Sequence, residues 1–479
     1  MRIAAGNALL VVLTLTPVVA IAWQQGAPPA APAKPSSGAR QPARRPQAAA
    51  AKPAPAPAPK PVPKPLANPP RIVNAVYFTE NSAGLRRRVD YLVDLRKTTE
   101  INAVVVDVKD YSGNIPYPMA LREARQYGAV RPFIRDIDAL VDRLHGEGVY
   151  VIARITCFQD PVLAQARPSL AVHRLSKLPK DRKSPLRRES LWLDRKGLSW
   201  LDPASRGAWD YLVAVGRDAL AHGFDELNFD YIRFPSDGDL NDMYFPDWDG
   251  KTPKSEVIRG FFAHLRKQFA GVPISADVFG LATVSTDDLG IGQVIEDAYA
   301  NFDYVCPMVY PSHYARQFLG FRSPAAHPYQ VVNHSMKDAL SRLNSFRRRP
   351  QHGEIGGNGG SASPQPQAAP PRETAPRRAA KLRPWIQDFN LGARYNSAMV
   401  RAEIQAIQDA LGEDFAGYMV WSPSNVYKRE ALRPPPPQPP QAKTEPTRPT
   451  EPPRPTEPPR PTVPPQAPAA TGAEKKPAP

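Results

Sequence analysis

Cysteine is almost absent from this chain: Cys157 and Cys306 are its whole complement. A disulfide framework is therefore not what holds it together, although a large exported protein needs none. Histidine is sparse too. His173, His222 and His313 stand far apart, and neither His-x-x-x-His nor His-x-His spacing occurs, so a histidine-built metal centre has no support. A Gly-x-Ser-x-Gly elbow is missing, which removes the usual serine-hydrolase reading, and so is a P-loop. The apolar run Ala8 to Ala22 is broken by Pro17 and falls short of the roughly 20 residues of a comfortable membrane span. With Arg2 ahead of it and the small residues Ala20-Ile21-Ala22 at its end, it reads as an export signal over 1–22, cleaved near Trp23. The expected location is periplasmic or extracellular, with retention as an uncleaved anchor as the alternative.

Acidic residues are missing from particular places. Residues 1–70 hold eight Lys or Arg and no acid, and the segment 346–383 holds eight bases against two acids. The tail from Arg433 adds seven bases against four acids. These segments account for the formal net charge of +16 and leave the remainder near neutral. Nucleic-acid binding by the central part is accordingly not indicated. The basic segments suit contact with anionic envelope polymers, or simply solubility.

The 59 prolines are concentrated at the two ends. A Pro/Ala-rich linker runs over 23–70, and the tail 433–479 repeats Arg-Pro-Thr-Glu-Pro-Pro at 448–453 and 454–459. Such tracts favour extended polyproline II and cannot bury a core. They are expected to be disordered, as is the Gly/Pro/Arg-rich insertion 346–383. Residues 71–432 have the texture of a folded domain.

Within 71–432, apolar strand-like and amphipathic helix-like segments alternate. Strands are expected at 72–78, 102–108, 150–157, 226–232, 274–279, 304–310, 384–389 and 417–421. Helices are expected at 85–96, 134–145, 205–221, 256–269, 292–300, 335–347 and 398–411. Eight strands in such alternation, with a strand first, define a (β/α)8 TIM barrel of the α/β class flanked by disordered Pro-rich tails. The rival doubly wound sheet wants a Gly-rich turn after the first strand, and Phe78-Thr79-Glu80-Asn81-Ser82 is not one. The longest excursions follow strands three, four and six, and would share one face. Cys157 and Cys306 fall on strands three and six, too far apart for a disulfide.

Strand four organises the functional reading. In Glu226-Leu227-Asn228-Phe229-Asp230-Tyr231-Ile232-Arg233, Leu227, Phe229 and Tyr231 alternate with Glu226, Asn228 and Asp230. A polar file inside a sheet covered by helices needs a reason, and the C-terminal end of a barrel strand is where chemistry sits. Other strands end similarly: Glu80 after strand one, Asp107, Lys109 and Asp110 on strand two, Arg154 on strand three and Asp277 on strand five. Strand six gives Tyr310 and His313, strand seven Gln387 and Asp388, and strand eight Trp421. Each alone has a bland reading as a helix cap, a loop brace or core packing. Several carboxylates buried together are expensive unless paired or used. Glycoside hydrolysis uses them: one carboxyl protonated for the leaving oxygen, another ionised as nucleophile or base.

The motifs Asn102-Ala103-Val104-Val105-Val106-Asp107-Val108-Lys109-Asp110, Asn228-Phe229-Asp230-Tyr231-Ile232-Arg233-Phe234-Pro235, Ser275-Ala276-Asp277-Val278-Phe279-Gly280, Cys306-Pro307-Met308-Val309-Tyr310-Pro311 and Tyr418-Met419-Val420-Trp421 together resemble a bacterial family of glycoside hydrolases of largely unknown function. Its barrel is similar to the α-amylase type, and the resemblance covers about residues 71 to 432. It implies a nucleophilic Asp at strand four, matched by Asp230, and an acid at strand five. Asp277 stands at that second place, one methylene shorter than the Glu of α-amylase-like barrels. Asp388 matches a strand-seven acid loosely.

The expectation is an exported glycoside hydrolase acting on a polysaccharide or oligosaccharide, with no cofactor and no metal. Asp230, Asp277, Asp107 and Asp388 form its carboxylate set. Glu80, Lys109, Arg154, Arg233, Tyr310, His313 and Trp421 contact substrate. The alternative is a non-catalytic glycan-binding barrel of the cell envelope.

Overall fold

A computed structural model describes residues 64–181, 183–349 and 379–435. The export signal, most of the N-terminal linker, the middle of the insertion and the tail from residue 436 lie outside the described residues.

Eight parallel strands close on themselves. They are β1 (Val73–Phe78), β2 (Ala103–Lys109), β3 (Tyr150–Thr156), β4 (Glu226–Asp230), β5 (Ile274–Phe279), β6 (Tyr304–Met308), β7 (Trp385–Gln387) and β8 (Gly417–Trp421). Each pairs with the next in sequence, and β8 returns to β1 with Gly417 opposite Val73. The fold is a (β/α)8 barrel. Lys381–Leu382, just ahead of β7, also pairs with β6, and Trp385 of β7 pairs with Met308.

The seam between β8 and β1 depends on Gly417. Its φ is +110°, and a Cβ there would lie 2.0 Å from the Val73 carbonyl oxygen. Any side chain would push the closing strands apart.

The helices alternate with the strands as the apolar spacing requires. They are α1 (Arg86–Thr98), α2 (Ile137–Gly146), α3 (Arg206–Ala221), α4 (Lys254–Gln268), α5 (Ile295–Asn301), α6 (Pro328–Arg348) and α7 (Ser397–Leu411). On α1, Val89, Leu92, Val93 and Leu95 are buried against the outer strand faces. This outer core takes one parity of every strand, for example Val104 and Val106 or Leu227 and Phe229.

The other parity points into the barrel. Its lower part packs Ala75, Val105, Ile152, Cys306 and Met419 around the fully buried pair of Glu226 and Arg383. The N-terminal end is crossed by the chain at Leu66, whose N–H donates to Asp225 Oδ1 at 2.6 Å. Leu66 packs on the same inner cluster.

Three differences from the sequence reading have physical causes. β4 stops at Asp230 because Tyr231 adopts φ +53° and leaves the pleat. α6 begins at Pro328, whose fixed φ suits the first helical turn, and runs to Arg348, so residues 346–348 of the insertion are helical. The polar excursion after β3 carries its own core of buried Val172, Trp192, Trp200 and Leu201. It is tied to the β4 excursion by an antiparallel pairing of His173–Arg174 with Met243–Tyr244. Asp202 adds a second tie, with its Oδ2 accepting from the N–H groups of Asp247 and Trp248 at 2.7 and 3.0 Å. Cys157 and Cys306 are both free and buried.

Candidate active site

Register brings the polar strand ends together. Asp107 of β2 is the lateral partner of Arg154 of β3, and Thr156 is that of Asp230. Asn228 and Phe229 pair with Ser275 and Ala276, so the next rung sets Asp230 beside Asp277. Asp107, Arg154, Asp230 and Asp277 all belong to the inward parity and meet at the C-terminal mouth.

Arg154 is the hub. Its Nη1 donates to Asp107 Oδ1 at 2.5 Å and its Nη2 to Asp230 Oδ2 at 2.5 Å, while its Nε lies 3.9 Å from Asp277 Oδ2. The four side chains are nearly inaccessible, with Arg154 at 6% and Asp277 at 1% exposure. One guanidinium thus faces three carboxyl groups. The surrounding charges hold Arg154 protonated, with Asp107 and Asp230 outweighing its burial.

The three acids are held differently. Asp107 is closed, because its other oxygen accepts the Tyr77 hydroxyl. Asp230 takes the Tyr231 N–H on Oδ1 at 2.6 Å, where the left-handed residue turns the chain out of the strand. Asp277 receives both of its hydrogen bonds on Oδ1, from Asn228 Nδ2 and Trp385 Nε1, each at 2.8 Å. Its Oδ2 has no hydrogen-bond partner among the described residues and lies 3.9 Å from Arg154 Nε. Burial, then the charge of Asp230, push the Asp277 carboxyl up to about 8, against the opposing pull of Arg154. Donors on Oδ1 leave Oδ2 as the oxygen that carries the proton.

Glu80 lies at the rim, in a short helix Glu80–Ala83 capped by Thr79. Burial, then Asp107 and Asp110, push its carboxyl up to about 8. The C-terminal ends of β6, β7 and β8 carry a group of aromatic rings. Tyr310 lies 5.8 Å from Phe389, 6.0 Å from Trp421 and 5.2 Å from His313, centroid to centroid, and Tyr77 stacks on Trp421 at 6.3 Å. Burial lowers His313 to about 4, so its ring is neutral at pH 7.

Two expected site residues are placed elsewhere. Lys109 is fully buried; its Nζ donates to the Thr156 carbonyl at 2.6 Å and pairs with Asp160 at 2.9 Å. Asp388 accepts from the Lys428 backbone N–H at 3.0 Å and pairs with the Lys428 ammonium, and among the described residues it forms no hydrogen bond or ion pair with the Arg154 cluster. Arg233 sits at the rim, 4.7 Å over the Phe279 ring and 4.8 Å over that of Trp200.

Three contributors escaped sequence reasoning. Tyr77 and Trp385 donate to site carboxylates, and inward parity on β1 and β7 was the signal available for both. Glu403 of α7 is fully buried and accepts from the Gln387 N–H at 2.8 Å and the Tyr395 hydroxyl at 2.5 Å. Burial raises its carboxyl well above the usual range. Its place in the apolar stripe Val400, Ile404, Ile407 was the clue.

Among the described residues no group of three or more His, Cys, Asp or Glu side chains is arranged to hold a metal ion.

A closed (β/α)8 barrel with a carboxylate cluster at its C-terminal mouth is the class that fold and site define. The chain matches the family model described as "Putative glycosyl hydrolase domain" over residues 75–352 and 367–427, and it belongs to that family. Among solved structures it is similar to a hypothetical protein from Ruminiclostridium thermocellum, at 35% identity over 45% of this chain and 98% of that one, with a TM-score of 0.38. It is also similar to the glycoside hydrolase domain of PgaB (BpsB) from Bordetella bronchiseptica, at 14% identity over 76% and 99% of the two chains and a TM-score of 0.46. The α-galactosidase TtGalA from Thermus thermophilus matches at 14% identity over 77% and 61%, with a TM-score of 0.42. A comparison with curated proteins finds no match.

Proposed function

We propose that this protein hydrolyses glycosidic bonds of a polysaccharide or oligosaccharide by a two-carboxylate mechanism. Asp277 is the general acid and Asp230 the nucleophile or base. The observation that carries the reading is the inequality between two neighbouring carboxyls. Arg154 and a backbone N–H donate to Asp230, while Asp277 is pushed up to about 8 with its Oδ2, the oxygen left for the proton, free of hydrogen bonds among the described residues. Environments that drive two carboxyls apart assign acid and base roles.

Asp277 Oδ2 passes its proton to the glycosidic oxygen as the bond to the anomeric carbon breaks. Asp230 either bonds to that carbon or takes a proton from the water that does. Arg154 orients Asp230, and Asp107 with Tyr77 orients Arg154. The group of Tyr310, Phe389 and Trp421 supplies ring faces for sugars.

Export belongs to the same proposal. The apolar segment ending in Ala20-Ile21-Ala22 and the basic, proline-rich arms suit work in the cell envelope.

The test is reducing-end release from envelope and storage polysaccharides by the purified full chain, compared with Asp230→Asn and Asp277→Asn. Each substitution is expected to lower turnover by about 10²- to 10⁴-fold with the thermal transition kept. Undiminished turnover in Asp230→Asn would refute the assignment.

A further inference from the structure

Arg233 is a buried cation without an anion. It is 8% exposed, and no carboxylate pairs with it among the described residues. Its Nη1 is engaged, donating to the Phe234 carbonyl and to Ser236 Oγ, both at 3.0 Å. Its Nε and Nη2 have no acceptor among the described residues, and neither nitrogen is sealed from solvent. These two N–H groups form the side edge of a guanidinium, the fork that matches a carboxylate bidentately.

Three acids lie near enough to act on Arg233: Asp230, Asp237 and Asp194. Asp237 accepts the Arg195 N–H at 3.4 Å and forms no ion pair with Arg233 among the described residues; the other two are committed elsewhere. Asp194 takes Gln159 Nε2 and Trp200 Nε1 on Oδ2, at 2.5 and 3.0 Å. Its Oδ1 accepts the N–H groups of Lys196 and Leu198. Asp230 is bound by Arg154. The rings of Trp200, Tyr231 and Phe279 lie 4.8, 5.4 and 4.7 Å from the guanidinium carbon. They explain how the cation tolerates burial and leave the fork open. Burial is strong enough to lower the affinity of Arg233 for its proton, so the site carries a standing cost that an incoming anion relieves.

Position makes the fork relevant to catalysis. Arg233 follows Asp230 by three residues, and Phe279, beneath its guanidinium, is the next inward residue after Asp277 on β5. Arg233 therefore stands at the same end of the barrel as the catalytic pair, close enough for the charge of Asp230 to act on it. The mouth does not repel an anion strongly: Asp277 and Glu80 hold their protons near neutrality, and Arg154 is set against Asp107 and Asp230.

We infer that Arg233 binds the carboxylate of a sugar beside the scissile bond, so that the substrate is a uronic-acid-containing glycan. This rests on the glycosidase reading for the word substrate, but the binding step is separable from it.

The experiment uses the full chain carrying Asp230→Asn, so that ligands survive, and isothermal titration at pH 7. The probes are tetrameric oligosaccharides of galacturonate, of mannuronate and of alternating glucuronate and N-acetylglucosamine. Each is paired with its methyl ester, which removes the charge and adds one methyl group. At least one acid form is expected to bind about 10- to 100-fold more tightly than its ester. Adding Arg233→Gln is expected to erase that preference, and Arg233→Lys, which keeps the charge but not the fork, to leave part of it. Equal binding of acid and ester, a preference that survives Arg233→Gln, or no binding by any acid probe would overturn the inference. Cleavage by the native chain of a neutral glycan only would also overturn it, while sparing the hydrolase. Uronate binding without cleavage by the native chain would sink the hydrolase and leave the inference standing.

Discussion

Two clusters of charge are buried inside this barrel, and they are built on opposite plans. Near the floor, Glu226 of β4 meets Arg383 ahead of β7. Glu226 Oε2 accepts Arg383 Nη1 at 3.1 Å, and Oε1 accepts Nη2. Tyr150 and Ser275 hydroxyls donate to the same carboxylate at 3.2 and 2.5 Å. Acid and base match one to one, and both side chains are fully inaccessible. At the mouth, Arg154 faces Asp107, Asp230 and Asp277. The floor is closed and balanced; the mouth is open and has an excess of acid. Balance makes a strut, whereas imbalance makes one of the acids hold a proton at neutral pH. That separates structural from chemical charge within one inward file, Glu226, Asn228 and Asp230.

The sharpest way to break the comparison is to remove each arginine. Arg383→Met strands Glu226 where neither water nor another cation reaches it. A loss of about 3–5 kcal/mol is expected in denaturant unfolding. Pairing it with Glu226→Leu should recover most of that loss, because a matched apolar pair replaces a matched ionic one.

Arg154→Met should cost less stability, on the order of 1–3 kcal/mol. Asp107 keeps the Tyr77 hydroxyl and Asp230 the Tyr231 N–H as hydrogen-bond donors in its absence. Turnover is expected to fall steeply nonetheless, because Asp230 loses the charge that keeps it distinct from Asp277. Equal stability losses in the two arginine variants would show that the floor and mouth are not different in kind.

The third expectation concerns pH. Asp277, Glu80 and Glu403 all hold protons more tightly in the folded chain than carboxyls ordinarily do. The native state therefore binds more protons than the unfolded chain from the ordinary carboxylate range up to about 8, where Asp277 and Glu80 titrate. Their contribution to stability must fall as pH rises through that window. Urea midpoints measured across it should decline, and Asp277→Asn should flatten part of the decline.

How much of this was readable in the chain follows the range of the interaction. Strand parity is local, so β4 with Asp230 inward, and likewise Asp107, Arg154 and Asp277, could be placed from alternation alone. Parity also sends Lys109 inward after Asp107, but the register shifts between these two residues, and Lys109 turns to Asp160. No pattern within β2 announces that shift. Asp388 directly follows β7 and reads like the strand-end Asp230, and what separates them is a lysine forty positions on. The excursion after β3 looked polar because its apolar residues follow no period. Trp192 and Trp200 are buried by loop-to-loop bridges, which depend on the barrel that carries them.

The smallest expected effect tests the proton position itself. Trp385 Nε1 and Asn228 Nδ2 both donate to Asp277 Oδ1, and donors to a carboxylate favour its ionised form. Trp385→Phe removes one donor and keeps the ring. The Asp277 pKa must then rise, and the alkaline limb of turnover, set by loss of the acid's proton, must move to higher pH. One hydrogen bond to a charged group contributes about 1.5 kcal/mol or somewhat less when its partner remains, and 1.36 kcal/mol is about one unit. A shift of roughly half to one unit upward is expected in the pH profile of kcat. An alkaline limb that stays in place while the acidic limb moves upward would mean that Asp277 acts ionised, which would reverse its role with Asp230.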